Sequence, residues 1–446
     1  MFKRNILINL KKWKESSSRK PLILRGARQV GKTTAVDLFA AEFEQYICLN
    51  LERHEDRQLF NENYSFAEIL SAIFLSRNVR YDKTKTTLIF IDEIQFSSIA
   101  IAMMRYFYEQ TPELFVIAAG SLLETLMEEA ASFPVGRVEY LFMYPLTFAE
   151  FLMATDEKEA LELLNTIPTP DYAHDQLLQL FHRYTLLGGM PEIVQHYGKK
   201  LDLVALNSIY RNLFVSYNDD VSKYVRKTRL VPLVRHAIGQ APNEAGKRIK
   251  FHGFGHSNYG SRDMGEALRI LERALLIHLV YPTTSVTLPI IPNYQKSPKL
   301  QFLDTGLINY VMGLQTYYFS LSDLNSFYQG LICEHIVGQE LIAADIMPTG
   351  KLAFWVREGA QAAAEVDFII PHHQYLIPLE VKAGKSGMLR SLHQFVERTN
   401  YDFAVRLYAG KIALEQHQVT SGKKYRLLNL PYYLTGQINL LLDHFC

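Results

Sequence analysis

Residues Leu22-Ile23-Leu24-Arg25-Gly26-Ala27-Arg28-Gln29-Val30-Gly31-Lys32-Thr33-Thr34 set an apolar run, a glycine loop and a helix start end to end. Residues 26–33 fit G-x-x-x-x-G-K-S/T, the pattern of a phosphate-binding loop. The flanks fit as well. Residues 21–24 read as a buried parallel strand, and 33–41 carry Val36, Phe39 and Ala40 at helical spacing. Strand, glycine loop and helix form the context that gives the motif its meaning. Glycine at 26 and 31 permits backbone that a Cβ would block, so successive N–H groups can face a phosphate. The helix behind the loop adds roughly +0.5 charge at its amino end. The expected nucleotide contacts are Gly26, Ala27, Arg28, Gln29, Val30, Gly31, Lys32, Thr33 and Thr34. Lys32 would place its charge on the β- and γ-phosphates, and the Thr33 hydroxyl would ligate Mg²⁺.

Downstream, residues 45–51 read as a second strand and 66–75 as a helix. Thr86-Thr87-Leu88-Ile89-Phe90-Ile91-Asp92-Glu93 then runs apolar into two carboxylates, about sixty residues after the loop. Asp92 is expected to hold Mg²⁺ through water, and Glu93 to polarise the attacking water as general base. A further buried strand, 114–120, ends at Ser121, which is either a γ-phosphate sensor or the cap of the next helix. Arg137, after Pro134-Val135-Gly136, is a candidate arginine finger, in cis or from a neighbouring subunit, with Arg28 as a weaker rival. Residues 1–20 suggest a lead-in helix with Ile6, Leu10 and Trp13 on one face; a basic arm is the alternative.

The chain has 446 residues, 48% hydrophobic and 21% charged, with net charge +1, which suits a globular protein of two to four domains. Cys48, Cys333 and Cys446 lie far apart, so neither a zinc framework nor a disulfide framework follows, and a reducing cytoplasmic setting is expected. No signal-peptide pattern and no run of 18 apolar residues is present, so no membrane association is expected.

Past residue 150 the composition turns acidic at Asp156, Glu157, Glu159 and Glu162, with Pro168 and Pro170 following. The expected division is 1–155 as the phosphate-loop core, 156–224 as a helical lid, 225–315 as a winged-helix-like segment and 316–446 as a last α/β domain. Gly188-Gly189 reads as a turn. Residues 221–275 hold eleven Lys/Arg against four Asp/Glu, a net +7 in a chain of +1. An amphipathic helix at 261–276, followed by strand-like 277–281, resembles a recognition helix and wing. Arg262, Arg269 and Arg273 would then be phosphate contacts; the alternative is a protein-contact module. In the last domain, 327–344 reads as a helix with Glu334 and Glu340, and three strands follow. Asp367, then Glu380-Val381-Lys382, is similar to the D…E-x-K pattern of restriction-type nucleases. Residues i and i+2 share a strand face, so Glu380 and Lys382 would project together, with Asp367 and Glu334 completing a Mg²⁺ set and Lys382 orienting water.

Together, residues 25–34, Ile91-Asp92-Glu93-Ile94-Gln95, Gly120-Ser121, Gly136-Arg137, Tyr144-Pro145-Leu146-Thr147-Phe148-Ala149-Glu150-Phe151 and Gly188-Gly189-Met190-Pro191-Glu192 resemble a large group of prokaryotic AAA-type P-loop ATPases with a C-terminal domain of unknown function. The resemblance runs the whole chain. It implies an α/β fold with an AAA-like parallel-sheet core, a helical lid, a winged-helix segment and a restriction-nuclease-like end. The expectation is an ATP- and Mg²⁺-dependent ATPase whose hydrolysis is coupled to binding, and in one version cleavage, of DNA or another nucleic acid. The alternative is an ATP-gated switch or adaptor with a non-cutting nuclease-like module for a protein partner. Oligomeric state stays open in both.

Overall fold

The computed structural model describes residues 2–120, 134, 136–200, 203–225, 227–314, 331–344, 351–357, 364–384 and 389–446. Ser121 and Arg226 lie outside the described residues. The chain divides into two compact units: Met1–Tyr144 with Arg273–Leu275, and Pro145–Glu272 with Leu276–Cys446.

The first unit is built on five parallel strands, β1 (Leu22–Arg25), β2 (Gln45–Asn50), β3 (Thr87–Asp92), β4 (Phe115–Gly120) and β5 (Glu139–Phe142). Their order is β2-β3-β4-β1-β5. The apolar runs of β1, β3 and β4 are buried at every position, as strands covered on both faces must be. The outer strands β2 and β5 alternate instead. The lead-in segment is a packed helix, Ile6–Glu15, with Ile6, Leu10 and Trp13 buried, so the basic-arm alternative falls. Trp13 meets Phe39 and Phe115 at ring-centroid distances of 6.5 and 6.0 Å.

The second unit starts with helices, including Phe148–Ala154, His174–Leu187, Pro191–Lys200, Leu203–Tyr224, Val231–Glu244 and Ser261–Arg273. It continues into β6 (Ile277–Thr283), β7 (Lys299–Phe302), β8 (Ala353–Val356), β9 (Glu365–His372), β10 (Tyr375–Val381), β11 (Phe403–Tyr408), β12 (Ala413–Gln418) and β13 (Lys424–Pro431). These make one mixed sheet, ordered β12-β13-β11-β10-β9-β8-β6-β7.

Two features differ from the expected domain division. The first break falls between Tyr144 and Pro145 rather than after residue 155. The Phe148–Ala154 helix is tied into the second unit: Leu146 N donates to Gly189 O at 2.7 Å and Phe148 N to Glu340 Oε1 at 3.0 Å. The second difference concerns the wing. β6 and β7 are antiparallel, as a wing requires, but Tyr281–Thr283 of β6 also pair with β8. The expected wing is therefore an edge of the large sheet, and a boundary near 315 would cut that sheet.

The Gly188-Gly189 motif is a junction rather than a plain turn. Gly188 has φ +73°, and a Cβ there would strike the Asp304 carboxylate; one on Gly189 would strike the Leu146 backbone. Fully buried Asp304 accepts from Gly189 N at 2.6 Å and from Gly306 N and Leu307 N at 3.0 and 3.3 Å. Beside it, Tyr184 Oη lies 2.8 Å from Leu146 O and 2.7 Å from Glu340 Oε1, two acceptors for one hydroxyl proton. A proton on Glu340 supplies the missing donor. Burial pushes the Glu340 pKa up to about 7, against the pull of its bonds from Tyr184 and Phe148 N.

A carboxyl raised in the fold contributes stability that is fully present below its unfolded pKa of about 4.5 and lost as pH rises through about 7. The second unit should lose on the order of 3 kcal/mol between those limits from this group. Glu340→Gln keeps a donor and an acceptor, and should flatten the urea-midpoint profile over that window. Other raised carboxyls of the unit keep part of the slope, so the variant should lower it rather than abolish it, and an unchanged slope would remove Glu340 as a contributor.

Candidate functional site

The parallel strands bring the sequence-predicted residues of the first unit to one edge of their sheet. The phosphate loop leaves the carboxyl end of β1 and Asp92 ends β3, with β4 between them. Two strand spacings separate the two ends, roughly 10 Å. Thr33 closes that gap: its Oγ1 donates to Asp92 Oδ2 at 2.7 Å. Ligands of open α/β sheets collect at such carboxyl ends.

The loop is held from several sides. A Cβ on Gly26 would meet the Met143 carbonyl oxygen, so the residue following β5 fixes glycine there. Gly31, the residue before the helix Lys32–Phe39, takes φ +95°, and Gln29 takes φ +65°. Lys32 Nζ donates to Gly26 O and Ala27 O at 2.9 and 3.0 Å. Burial lowers its pKa to about 8, although Glu93 and Asp92 pull upward. Arg4, 8% exposed, clamps the loop from behind, donating to Val30 O at 3.0 Å and Tyr144 O at 2.7 Å. Sequence reading missed Arg4; one arginine ahead of an amphipathic helix carries no local signal.

Glu93 sits in the left-handed region, φ +52°, with its N–H on Asp92 Oδ1 at 2.9 Å. Its carboxylate accepts from the Gln95 side-chain amide, which fixes its direction. Three positive-φ residues within one small site, two of them not glycine, fit the tendency of strained backbone to gather where geometry matters.

Arg137 is a correction. Glu139 pairs with Leu22 at the start of β1, so Arg137 lies at the amino edge of the sheet, a full strand length from the phosphate loop. Its Nε donates to Glu109 Oε1 at 3.0 Å. A finger acting in cis is excluded by that placement, because parallel register puts the two ends of β1 roughly 10 Å or more apart.

The second unit holds the carboxylate set of the sequence reading, with an unforeseen partner. The β9–β10 register, continued one step past Phe368↔Leu379, sets Asp367 opposite Glu380, and Asp367 Oδ2 accepts from Val381 N at 2.8 Å. Lys382 Nζ lies 2.6 Å from Glu380 Oε1. Lys299 of β7 places its Nζ 2.6 Å from Glu334, 2.8 Å from Glu365 and 3.8 Å from Asp367. Burial raises the pKa of Glu334, Asp367 and Glu380 even so. Burial disfavours the Lys299 charge, yet the three carboxylates outweigh it and hold its pKa above the usual lysine value. Among the described residues, Glu334, Asp367 and Glu380 do not bring three ligand oxygens within 4.8 Å of one another. The expected Mg²⁺ set therefore does not fit as arranged: buried carboxylates need a counter-charge, and lysines supply it.

The basic region is partly paired: Glu266 and Asp263 already stand in its count of +7, and Asp220 and Glu365, from outside it, bring the balance to +5. Lys227 pairs with Glu266 at 2.8 Å, Arg229 with Asp263 at 3.3 Å, Lys223 with Asp220 at 3.2 Å and Arg248 with Glu365 at 3.6 Å. Arg262 and Arg269 sit at exposed positions on the helix Ser261–Arg273. Among the described residues, no helix is long and apolar enough to cross a membrane.

Comparison with known families fits this geometry. Residues 18–152 match an AAA domain. The chain carries an AAA-type P-loop ATPase domain. Behind that ATPase domain, residues 178–318 match a domain of unknown function (DUF8612) and 329–433 another (DUF4143). No curated protein matches the chain. Among solved structures it is similar to the Walker-type ATPase Paby2304 of Pyrococcus abyssi, at 16% identity and TM-score 0.44, over 70% of this chain and 96% of that one. It is also similar to the Orc1 protein of Aeropyrum pernix, solved in complex with DNA, at 11% identity and TM-score 0.25, over 71% and 92%.

Proposed function

We propose that this chain hydrolyses ATP with Mg²⁺ at the 26–34 loop, and that its second unit serves as a binding module gated by the nucleotide. The observation that carries the reading is the Thr33–Asp92 hydrogen bond across the end of β4, with the Lys32 charge within reach of both Asp92 and Glu93. The residues suit a magnesium nucleotide: a hydroxyl and a carboxylate in contact, a lysine beside loop carbonyls, and a loop whose Gly31 takes a left-handed backbone. Mg²⁺, held by Thr33 and Asp92, would neutralise charge on the β- and γ-phosphate oxygens. Lys32 leaves the Gly26 and Ala27 carbonyls for the phosphates. Glu93, aimed by Gln95, takes the proton of the attacking water. Arg4 keeps the Val30 carbonyl turned back, so the loop N–H groups stay forward.

A second reading, cleavage of nucleic acid, has one observation in its favour: Asp367 and Glu380 face each other in register with Lys382 two residues on. It requires Lys299 to leave its carboxylates. Lys32→Ala and Lys382→Ala, each assayed for ATP turnover and for plasmid nicking with Mg²⁺, separate the readings. The proposal expects turnover in the parent and in Lys382→Ala, none in Lys32→Ala, and no nicking throughout. Absence of Mg²⁺-dependent turnover in the parent would overturn it. Nicking lost only in Lys382→Ala would establish the second reading.

A further inference from the structure

At the far end of the β9–β10 hairpin from Asp367 and Glu380, three side chains meet that neither reading uses. His372 ends β9 and His373 begins the turn into Tyr375. Adjacent strand residues point to opposite faces, so two neighbouring histidines would ordinarily part. His373 instead leaves the strand with φ +50°, which turns its ring back until the two imidazole centroids are 4.2 Å apart. Asp443, on the helix Ile438–Phe445, completes the group: its Oδ1 lies 3.7 Å from His372 Nε2 and 3.7 Å from His373 Nε2.

Two further observations favour a cation here. His372 is 6% exposed, and its Nε2 is buried with no hydrogen-bond partner. A buried ring nitrogen without a partner is costly. Asp443 lies in the last turn of its helix, where the dipole disfavours a carboxylate and favours a positive charge.

We propose that His372, His373 and Asp443 bind a divalent transition-metal ion, Zn²⁺ in the first instance. Two imidazole nitrogens and one carboxylate oxygen are borderline ligands that suit Zn²⁺ and not the hard Mg²⁺. At metal–ligand distances of about 2.0–2.2 Å, tetrahedral ligand atoms stand roughly 3.3 Å apart; the two 3.7 Å separations need only a small contraction, and all three ligand atoms lie within 4.8 Å of one another. The site is separate from the Asp367–Glu380 pair, five residues along β9 or roughly 17 Å. Its fourth position is left to solvent. The bound ion fastens the hairpin turn to the C-terminal helix of the second unit.

The test uses the full chain with excess Mg²⁺ to fill hard-oxygen sites. Zn²⁺ is titrated at equilibrium, and Co²⁺ is added as a visible-absorbing stand-in. The expected result is one tight Zn²⁺ equivalent, four-coordinate Co²⁺ bands and a higher melting temperature with Zn²⁺. His373→Ala and Asp443→Asn, both at exposed positions, should each weaken Zn²⁺ binding by about 10–100-fold or more and abolish the Co²⁺ bands and the thermal shift. ATP turnover without Zn²⁺ should be unchanged in both. No retained Zn²⁺ in the parent, or equal binding in parent and both variants, would overturn the proposal.

Discussion

A Glu93→Gln chain should bind ATP as the parent does while its steady-state turnover falls by about 10²–10⁴-fold, the range for loss of a positioned general base. The amide keeps the size of the carboxylate and can still meet Gln95, so the loop, Thr33 and Asp92 stay in place. Only the ability to take a proton from water is lost. Glu93 suits that role because its carboxylate is held by the Gln95 amide, whereas the Asp92 carboxylate is engaged by Thr33 and by the Glu93 N–H. The two adjacent carboxylates are therefore not interchangeable. Turnover measured beside an equilibrium binding curve separates the cases. Normal turnover in the variant removes Glu93 from the base role, and lost binding makes it structural.

An Asp304→Ala chain should lose about 3–5 kcal/mol in the transition that unfolds the second unit, since each buried donor left unpaired costs about 1–3 kcal/mol. Three backbone N–H groups, of Gly189, Gly306 and Leu307, donate to this carboxylate, and the Gln339 side-chain amide lies 3.3 Å away. Helix Thr305–Val311 also loses its N-cap. One term opposes these: burial raises the Asp304 pKa to about 6, so the charged form itself carries a penalty that alanine removes. The orphaned donors outnumber that single term. Asp304→Asn, which keeps one acceptor oxygen, should cost less than alanine. A loss below about 1 kcal/mol in urea melts of Asp304→Ala would show that water reaches those donors.

What the sequence made legible was local. The glycine loop, the apolar run into Asp92-Glu93 and the hairpin carrying Asp367 and Glu380 each lie within one strand–turn–element unit, and their patterns carry their geometry. The misses depended on distant pairing. Lys299 meets partners 35 to 68 positions away, β6 finds β8 across some seventy residues, and Asp304 accepts from Gly189, 115 positions before it. No periodicity reports such meetings. Arg137 as a finger in cis failed for a related reason: its neighbours in sequence suited the role, but the register of β5 on β1 sends it to the other edge of its own sheet. The family-like motifs Tyr144-Pro145-Leu146-Thr147 and Gly188-Gly189 turned out to meet each other, through Leu146 N and Gly189 O, and to serve packing. Their positions in sequence gave no sign of it.

Labelled ATP with Mg²⁺, titrated at equilibrium into the folded chain and into Lys32→Ala, decides whether residues 26–34 grip a triphosphate. Saturable uptake at one site in the parent, weakened about 10–100-fold when a charge-assisted phosphate contact is deleted, is the result the geometry predicts. No saturable uptake by the folded parent, or the same curve for both chains, would contradict it.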